Sequence, residues 1–240
     1  MQIVYYFSSA LRLGSPEKAV SFSVPTGNFG DIYAGYLAQQ MGLPIDQLVV
    51  ATNQNDILHR FIANNDYSVS QLAKTYSPSM DILVSSNFER FLFDVFDKDG
   101  AAIADLMARF GKDLRSVPDE RWQKVAKTFD SAAVDDETTC KVIADVHAQF
   151  GMLLDPHTAI GVEAARRCRC DSASTAMRPV MVTLATAHPA KFADAITAAG
   201  LASPQLPAHL ADLFEREERF SVVANDLAAV TEYVQSHARA

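Results

Sequence analysis

The sequence predicts an α/β fold with a parallel sheet, because short apolar segments alternate with segments that carry apolar residues at helical spacing. Three apolar segments have the composition of buried strands, at 21–24, 47–52 and 180–185. A helix pattern separates the first two, and this succession implies a right-handed crossover between parallel strands. The 240 residues suffice for one large domain, or for part of a domain with a second lobe.

The helices are predicted from apolar spacing and from the residues that begin and end them. Asp31 to Met41 carries the first pattern, and Gly42-Leu43-Pro44 ends it, since proline cannot continue a helix. The next short helix is expected over 56–63. From residue 87 to about 170 the pattern is mainly helical. After the helix that begins this region, helical segments are predicted at 118–129, 136–150 and 156–168. Two further helices are expected at 207–218 and 226–238.

Composition and charge exclude several kinds of partner. The net charge of -8 leaves no basic stripe for nucleic acid or for an acidic membrane. No apolar run has the length of a transmembrane helix, and the first residues do not resemble a signal peptide, so we expect a cytoplasmic protein. Cys140, Cys168 and Cys170 lack the spacing and the nearby histidines of a zinc site, so no metal is expected.

The most informative segment lies between the first strand and its helix and reads Ser23-Val24-Pro25-Thr26-Gly27-Asn28-Phe29-Gly30-Asp31. Backbone N–H groups at the start of a helix bind anions, so this bend is a candidate phosphate site. Gly27 and Gly30 can adopt positive φ or let a phosphate approach closely, and Asn28 can add an amide donor. The bend matches neither GxGxxG nor the Walker pattern, so a tight turn that binds nothing is the alternative.

Four segments, found in order along the chain, carry a family resemblance. They are residues 23–61, Ser77-Pro78-Ser79-Met80-Asp81-Ile82 with Ser86-Asn87-Phe88-Glu89-Arg90, Asp155-Pro156-His157-Thr158-Ala159, and Leu184-Ala185-Thr186-Ala187-His188-Pro189-Ala190-Lys191-Phe192. Together they resemble threonine synthase, a pyridoxal-phosphate enzyme of fold type II. The resemblance runs from the first residues to about position 200.

The resemblance implies a tryptophan synthase β-like fold with three layers, in which helices flank both faces of the sheet. Residues 1–200 would be the C-terminal portion of the cofactor-binding α/β region, with a largely helical insertion at about 87–170. Residues 201–240 would form a C-terminal helical segment. The sheet is expected to be incomplete, because the N-terminal part of the family pattern is absent from this sequence.

The resemblance also implies pyridoxal 5′-phosphate as the cofactor. Its phosphate would be held by Gly27, Asn28, Phe29, Gly30 and Asp31, and its pyridine nitrogen would be contacted by Thr186. A hydroxyl at this nitrogen leaves the ring neutral, whereas a carboxylate would keep it protonated. Without the family motif, Thr186 is more simply a capping residue before Ala187-His188-Pro189.

The substrate implied by the resemblance is O-phosphohomoserine, which the family converts with water to threonine and phosphate. Six polar residues are candidates for the substrate phosphate, because hydroxyls, an amide and a guanidinium can together satisfy its oxygens: Ser77, Ser79, Ser85, Ser86, Asn87 and Arg90. The alternative is structural. Ser77-Pro78-Ser79 would be a turn, Ser86 or Asn87 would cap the next helix, and Glu89 would pair with Arg90.

No catalytic residue is assigned. The family carries its Schiff-base lysine in a Ser-Phe-Lys-Asp type motif, and none of the eight lysines here follows Ser-Phe. Lys191 matches a different family position. His59, His157 and His188 lie within family motifs, yet a structural role is expected for each, since the lysine moves the protons in the family.

We therefore expect the chain alone to be inactive. A complementing N-terminal half would supply the lysine, or the chain would self-associate abnormally through exposed apolar surface. The alternatives are a non-catalytic truncated or split protein, and another fold type II enzyme such as a serine or threonine dehydratase or the tryptophan synthase β chain. The more glycine-rich phosphate turns of those families favour threonine synthase.

Overall fold

The computed structural model describes residues 1–110, 115–170 and 178–238, and it divides into two compact units, Met1–Pro204 and Gln205–Ala240. The first unit contains a parallel sheet of four strands. These are β1 Val20–Pro25, β2 Ile45–Thr52, β3 Asp130–Ala133 and β4 Val180–Thr183, in the order β3-β2-β1-β4. Every residue of β1 is buried, as expected of a central strand with helices on both faces.

Nine helices of the first unit surround this sheet within the described residues. They are α1 Ile3–Arg12, α2 Gly30–Gln40, α3 Ile57–Asn64, α4 Phe88–Val95, α5 Gly100–Arg109, α6 Asp119–Thr128, α7 Asp136–Phe150, α8 Pro156–Cys170 and α9 Ala193–Ala198. Short 3-10 turns occur at Pro78–Met80 and Pro189–Phe192.

Alternate side chains of the strands enter two different cores, because successive residues of a strand point to opposite faces. Leu48 and Val50 of β2 pack in the larger core with residues of α1 to α4. Val49 and Ala51 pack on the opposite face against Ile160 of α8. The sheet is thus the middle of three layers, as the sequence predicts.

Helix α8 lies very close to the sheet. A Cβ atom on Gly161 would be 2.8 Å from Thr183 Cγ2 and 3.1 Å from Pro25 Cγ. The Ser23 hydroxyl donates to the Gly161 carbonyl at 2.7 Å. This contact brings the start of α8 to the carboxyl ends of β1 and β4.

The three predicted strands are confirmed. The region from residue 87 to about 170, which was predicted to be mainly helical, contains α4 to α8 and one strand that was not predicted, β3. This strand reads Asp130-Ser131-Ala132-Ala133 and has no run of β-branched or aromatic residues. Its position is set by pairing with β2, where Ala132 lies opposite Ala51, and by burial of Ala132. Sequence reasoning had no local signal for it.

The second unit contains α10 Leu227–His237, whose first turn is capped by the Asp226 carboxylate, which accepts from Ala229 N–H at 3.0 Å. The helix predicted at 226–238 is confirmed. The helix predicted at 207–218 is wrong, since only the 3-10 turn Ala208–Leu210 forms there. The segment buries no side chain in the described structure, and a short helix without packing is marginal in water.

Candidate functional site

The bend between β1 and α2 presents backbone donors without partners. Tyr33 is the first residue of α2 whose N–H has a backbone acceptor, the Phe29 carbonyl at 3.0 Å. Within the described part of the chain, no group accepts a hydrogen bond from the N–H groups of 27–32. These donors lie at the positive end of the helix dipole, which suits them to bind an anion.

The left-handed residue of the bend is Phe29, with φ of 64°. Neither Gly27 nor Gly30 has a positive φ, which was one of the two roles that the sequence offered for these glycines. The left-handed conformation of Phe29 is unfavourable for a bulky side chain. It is offset by burial of the ring, which is 1% exposed and makes edge contacts with Phe88 and Phe129 at centroid distances of 5.0 and 5.4 Å. The aromatic core therefore fixes the bend.

Gly27 is required by a close approach of the neighbouring backbone. A Cβ atom there would lie 2.9 Å from the Ser79 carbonyl oxygen and 3.3 Å from Met80 Cα. At Gly30 the nearest atoms would be 3.6 Å and farther, which is ordinary contact. Only the first glycine is therefore sterically restricted by the 3-10 turn Pro78–Met80.

Three of the predicted substrate-phosphate residues hold the outer side of the bend. The Ser85 hydroxyl donates to the Gly27 carbonyl at 2.9 Å. Asn87 donates to the Asn28 carbonyl from its backbone N–H at 3.1 Å and its side-chain amide at 3.0 Å. The Ser86 hydroxyl donates to Asn28 Oδ1 at 3.3 Å. These bonds engage the carbonyl oxygens of the bend and leave its N–H groups available.

The other three predicted substrate residues have different surroundings. Ser77 is fully buried, and its hydroxyl accepts from Asn53 Nδ2 at 3.0 Å. The Ser79 side chain is exposed. Arg90 stacks on the Tyr33 ring at 4.7 Å and lines a separate groove.

A cavity of about 620 Å³ brings the bend together with Thr186. β1 and β4 are adjacent parallel strands with Ser23 opposite Thr183, so the chain leaves both strands at the same edge of the sheet. Ligands of open α/β sheets bind at this edge. The cavity is lined by Gln2, Tyr5, Pro25, Thr26, Gly27, Asn28, Phe29, Gly30, Asp31, Ile32, Leu184, Ala185 and Thr186.

Thr186 is exposed on the wall of this cavity. Its backbone N–H donates to Thr158 Oγ1 at 3.3 Å. Its hydroxyl makes no hydrogen bond to any other described residue, so it is available to a ligand. The cap of the following turn is His188, whose Nδ1 accepts from Ala190 N–H at 3.2 Å. The alternative reading of Thr186 as that cap is wrong.

Asp31 introduces a carboxyl group beside the free N–H groups. Burial raises its pKa, and a hydrogen bond from the Tyr6 hydroxyl to Oδ1 at 3.3 Å offsets this only in part. The same hydroxyl donates to the Asp31 carbonyl at 2.8 Å, which ties α1 to the first turn of α2.

Each of the three histidines in the family motifs has a local hydrogen-bond partner. His59 Nδ1 lies 2.9 Å from Ser131 Oγ, and His157 Nδ1 lies 2.9 Å from Asp155 Oδ1. Asp155 also accepts from the His157 N–H at 3.0 Å, which confirms that it caps α8. None of these histidines lines the cavity in the described structure.

Among the described residues, neither a lysine nor a group of metal-binding side chains lies at the cavity. No lysine of the described residues lines it, and Lys191 Nζ lies 5.6 Å from the centroid of the Phe192 ring. Lys112 and the side chain of Cys170 lie outside the description. In the part of the chain that is described, no cluster of metal-binding side chains occurs, and no helix is both long and apolar enough to cross a bilayer.

Sequence reasoning missed Gln2 and Tyr5, which line the cavity from the first turns of α1. Gln2 Oε1 would be 3.7 Å from a Cβ atom on Gly30, so its amide lies beside the bend. A single polar residue near the start of a helix pattern carries no signal for this position. It follows from the packing of α1 on α2, where the Tyr6 ring lies against Gly35.

Comparison with known proteins gives a consistent result. Residues 158–234 match the family model described as threonine synthase, C-terminal. A threonine synthase from Pseudomonas aeruginosa is 58% identical over 238 residues, which are 98% of this chain and 50% of that protein. One from Corynebacterium glutamicum is 45% identical and covers 97% of this chain and 49% of its own length. The chain spans about half the length of the curated relatives it matches.

The fold is similar to solved threonine synthase structures. The pyridoxal-phosphate-bound enzyme from Brucella melitensis aligns with a TM-score of 0.88 and 49% identity, over 100% of this chain and 50% of that one. The yeast enzyme aligns with a TM-score of 0.83 and 34% identity, over 98% of this chain and 50% of that one. The predicted fold type II α/β architecture is confirmed.

Proposed function

We propose a function on the basis that this chain belongs to the threonine synthase family. The chain binds pyridoxal 5′-phosphate at the bend and at Thr186. It serves the conversion of O-phospho-L-homoserine and water to L-threonine and phosphate. The observation that carries the proposal is the single cavity of about 620 Å³ lined by both parts of the site.

Support for phosphate binding comes from the bend. The N–H groups of Gly27, Asn28, Phe29, Gly30 and Asp31 precede the first hydrogen-bonded turn of α2, so they can donate to phosphate oxygens. The bend is held from outside by Ser85 and Asn87, which fixes the donors before a ligand arrives. Preorganised donors of this kind bind an anion without a further ordering cost.

Support for ring binding comes from Thr186. Its hydroxyl can donate to an unprotonated pyridine nitrogen. Among the described residues that line the cavity, the one carboxylate is Asp31, in the first turn of α2. The cofactor, when bound, supplies an electron sink for carbanions of the substrate. The role of this chain is to hold the phosphate, set the charge of the ring and shape the pocket.

For the substrate phosphate we propose Ser86 and Asn87, whose side chains lie beside Asn28. Ser77, Ser79, Ser85 and Arg90 are weaker candidates. Ser77 and Ser85 are buried, Ser79 approaches Gly27 with its carbonyl oxygen, and Arg90 stacks on Tyr33.

The reaction needs a group that binds the cofactor covalently and moves protons, and we propose that a segment outside this chain supplies it. Support comes from the absence of lysine among the described lining residues. The outward face of α1 exposes Val4, Tyr5 and Leu11, and Val180 of the edge strand β4 is 52% exposed. This surface suits a complementing N-terminal segment or, without it, self-association.

The experiment mixes this chain with the part of the Pseudomonas aeruginosa relative that it does not cover, and measures phosphate release from O-phosphohomoserine. We expect release only from the mixture with added cofactor, and none from the chain with a Thr186→Val substitution in the same mixture. Each component alone should be inactive, and borohydride should attach no cofactor to this chain alone.

Two outcomes would contradict this proposal. Phosphate release by this chain without the second segment would refute the proposal that the proton-transfer group lies outside this chain. Ammonia release from serine or threonine by the mixture, without release of phosphate, would favour the dehydratase alternative. The names and the 58% and 45% identities of the relatives favour threonine synthase. We propose a cytoplasmic location, which fractionation of the producing cells would test.

A further inference from the structure

We propose that Thr158, held by Asp155 at the start of α8, is a positioning residue for Thr186 and thereby sets the contact to the cofactor's pyridine nitrogen. This inference rests on the proposed function and deepens it. The observation behind it is a chain of hydrogen bonds that connects three residues. The Thr158 hydroxyl donates to Asp155 Oδ2, and the Thr186 N–H donates to the Thr158 oxygen at 3.3 Å.

The direction of these bonds is fixed by the chemistry of the groups. A hydroxyl has one proton to donate and an oxygen that can accept. Asp155 is buried, and its other oxygen accepts from the Thr158 N–H at 3.3 Å and from His157. Burial alone would raise the pKa of Asp155, but the hydrogen bonds from His157 and Thr158 hold it below its usual range. The carboxylate therefore accepts the hydrogen bond from the Thr158 hydroxyl, and the oxygen of Thr158 remains free to accept from the Thr186 N–H.

The hydrogen bond from Thr186 to Thr158 lies in the segment after β4, which makes few other hydrogen bonds in the described structure. The ladder to β1 ends with the Leu184 N–H, which donates to the Ser23 carbonyl at 3.0 Å, and the next turn begins at His188. Between them, the bond from Thr186 to Thr158 is the one hydrogen bond to another element in the described structure. Beyond this segment, a ring contact of 4.5 Å between His157 and Phe192 joins α8 to the 3-10 turn Pro189–Phe192.

The consequence reaches the ligand. Thr186 is exposed to the cavity, so the direction of its hydroxyl depends on where its backbone is held. Loss of the hydrogen bond from Thr186 to Thr158 lets residues 185–187 shift. The Thr186 hydroxyl then no longer lies at a fixed distance from the ring nitrogen. The phosphate end of the ligand, at the bend, is unaffected.

The test compares Thr158→Val, which keeps the shape and removes the hydroxyl, with Thr158→Ser, which keeps the hydroxyl. The probe is pyridoxine 5′-phosphate, which has the phosphate and the ring but no aldehyde. Calorimetry gives its affinity, and absorbance against pH gives the titration midpoint of the bound ring nitrogen. We expect Thr158→Val to weaken binding about fivefold and to move the midpoint toward that of the free compound, and Thr158→Ser to do neither.

Two further measurements separate positioning from a general loss of structure. In a chain that already carries Thr186→Val, the Thr158→Val substitution should change the affinity less than about twofold, because the contact it supports is gone. Without any ligand, hydrogen exchange of the peptide 184–190 should be faster in Thr158→Val and unchanged in Thr158→Ser.

Failure of the proposed function and failure of the positioning role of Thr158 give different results. Failure of the unsubstituted chain to bind pyridoxine 5′-phosphate would overturn the proposed function and the positioning role with it. Binding by the unsubstituted chain and by Thr158→Val with equal affinity and equal titration midpoint would overturn the positioning role alone. Unchanged exchange of Thr186 in Thr158→Val would also overturn it.

Discussion

At the scale of single residues, the two glycines of the bend have different roles although the sequence presents them alike. Gly27 faces the backbone of Ser79 and Met80, whereas Gly30 has only ordinary contacts around it. A methyl group is therefore expected to disturb the structure at Gly27 and to fit at Gly30.

We expect Gly27→Ala to lower the free energy of unfolding by about 1–3 kcal/mol, because the 3-10 turn must move. Gly30→Ala is the matched control and should be neutral within about 0.5 kcal/mol, since alanine favours the helix that begins there. Urea denaturation of both variants measures this. Equal stability of the two variants would contradict the steric role of Gly27.

Phe29 is the second residue that determines the bend. We expect Phe29→Ala to cost about 3–5 kcal/mol, because a large ring leaves the aromatic core. Phe93, which is 37% exposed, provides the control, and Phe93→Ala should cost clearly less. Thermal or chemical unfolding compares the two. Similar losses for both substitutions would show that the aromatic core does not fix the bend.

The glycine bend and Thr186 were predictable as candidate residues because their family motifs are continuous in the sequence. The left-handed Phe29 was not, because its conformation is unfavourable locally and depends on contacts with Phe88 and Phe129, which are distant in the chain. Gln2 and Tyr5 were missed because their place at the cavity also depends on packing between residues that are distant in the chain.

At the scale of elements, the position of α8 on the sheet brings Thr158 to Thr186, and Gly161 permits it. A side chain at Gly161 would collide with Thr183 and Pro25. Strands β1, β2 and β4 were predictable from their apolar runs. β3 was not, since its four residues are polar or small and only pairing with β2 makes them a strand.

We expect Gly161→Ala to lower the free energy of unfolding by about 1–3 kcal/mol and to weaken binding of pyridoxine 5′-phosphate, because α8 must move away from β1 and β4. Gly100→Ala is the control, since the nearest atom to its added methyl group, Phe93 Cε2, is 4.0 Å away. Calorimetric titration and urea denaturation report the two effects. Unchanged binding and stability in Gly161→Ala would contradict the close packing of α8.

At the scale of the whole molecule, stability is expected to fall in mild acid. Burial lowers the pKa of His59 from 6.5, with further lowering by Arg167 and Arg60 and a partial opposing effect of Asp56. The unfolded chain therefore binds a proton at a higher pH than the folded chain does. As the pH falls below 6.5, this proton favours the unfolded state until the folded histidine is itself protonated.

We expect the free energy of unfolding to decrease between pH 7 and pH 5.5, and the decrease to be smaller in His59→Gln. Chemical denaturation at several pH values measures both slopes. Equal slopes for the original chain and the variant would show that another group controls this range.

The central claim is that one ligand spans the bend and Thr186, and a crystal structure of this chain with pyridoxine 5′-phosphate tests it most directly. The account predicts that the phosphate oxygens lie within hydrogen-bond distance of N–H groups of 27–31 and that the ring nitrogen faces the Thr186 hydroxyl. A ligand bound elsewhere, or one whose phosphate lies at the bend while its ring nitrogen points away from Thr186, would contradict it.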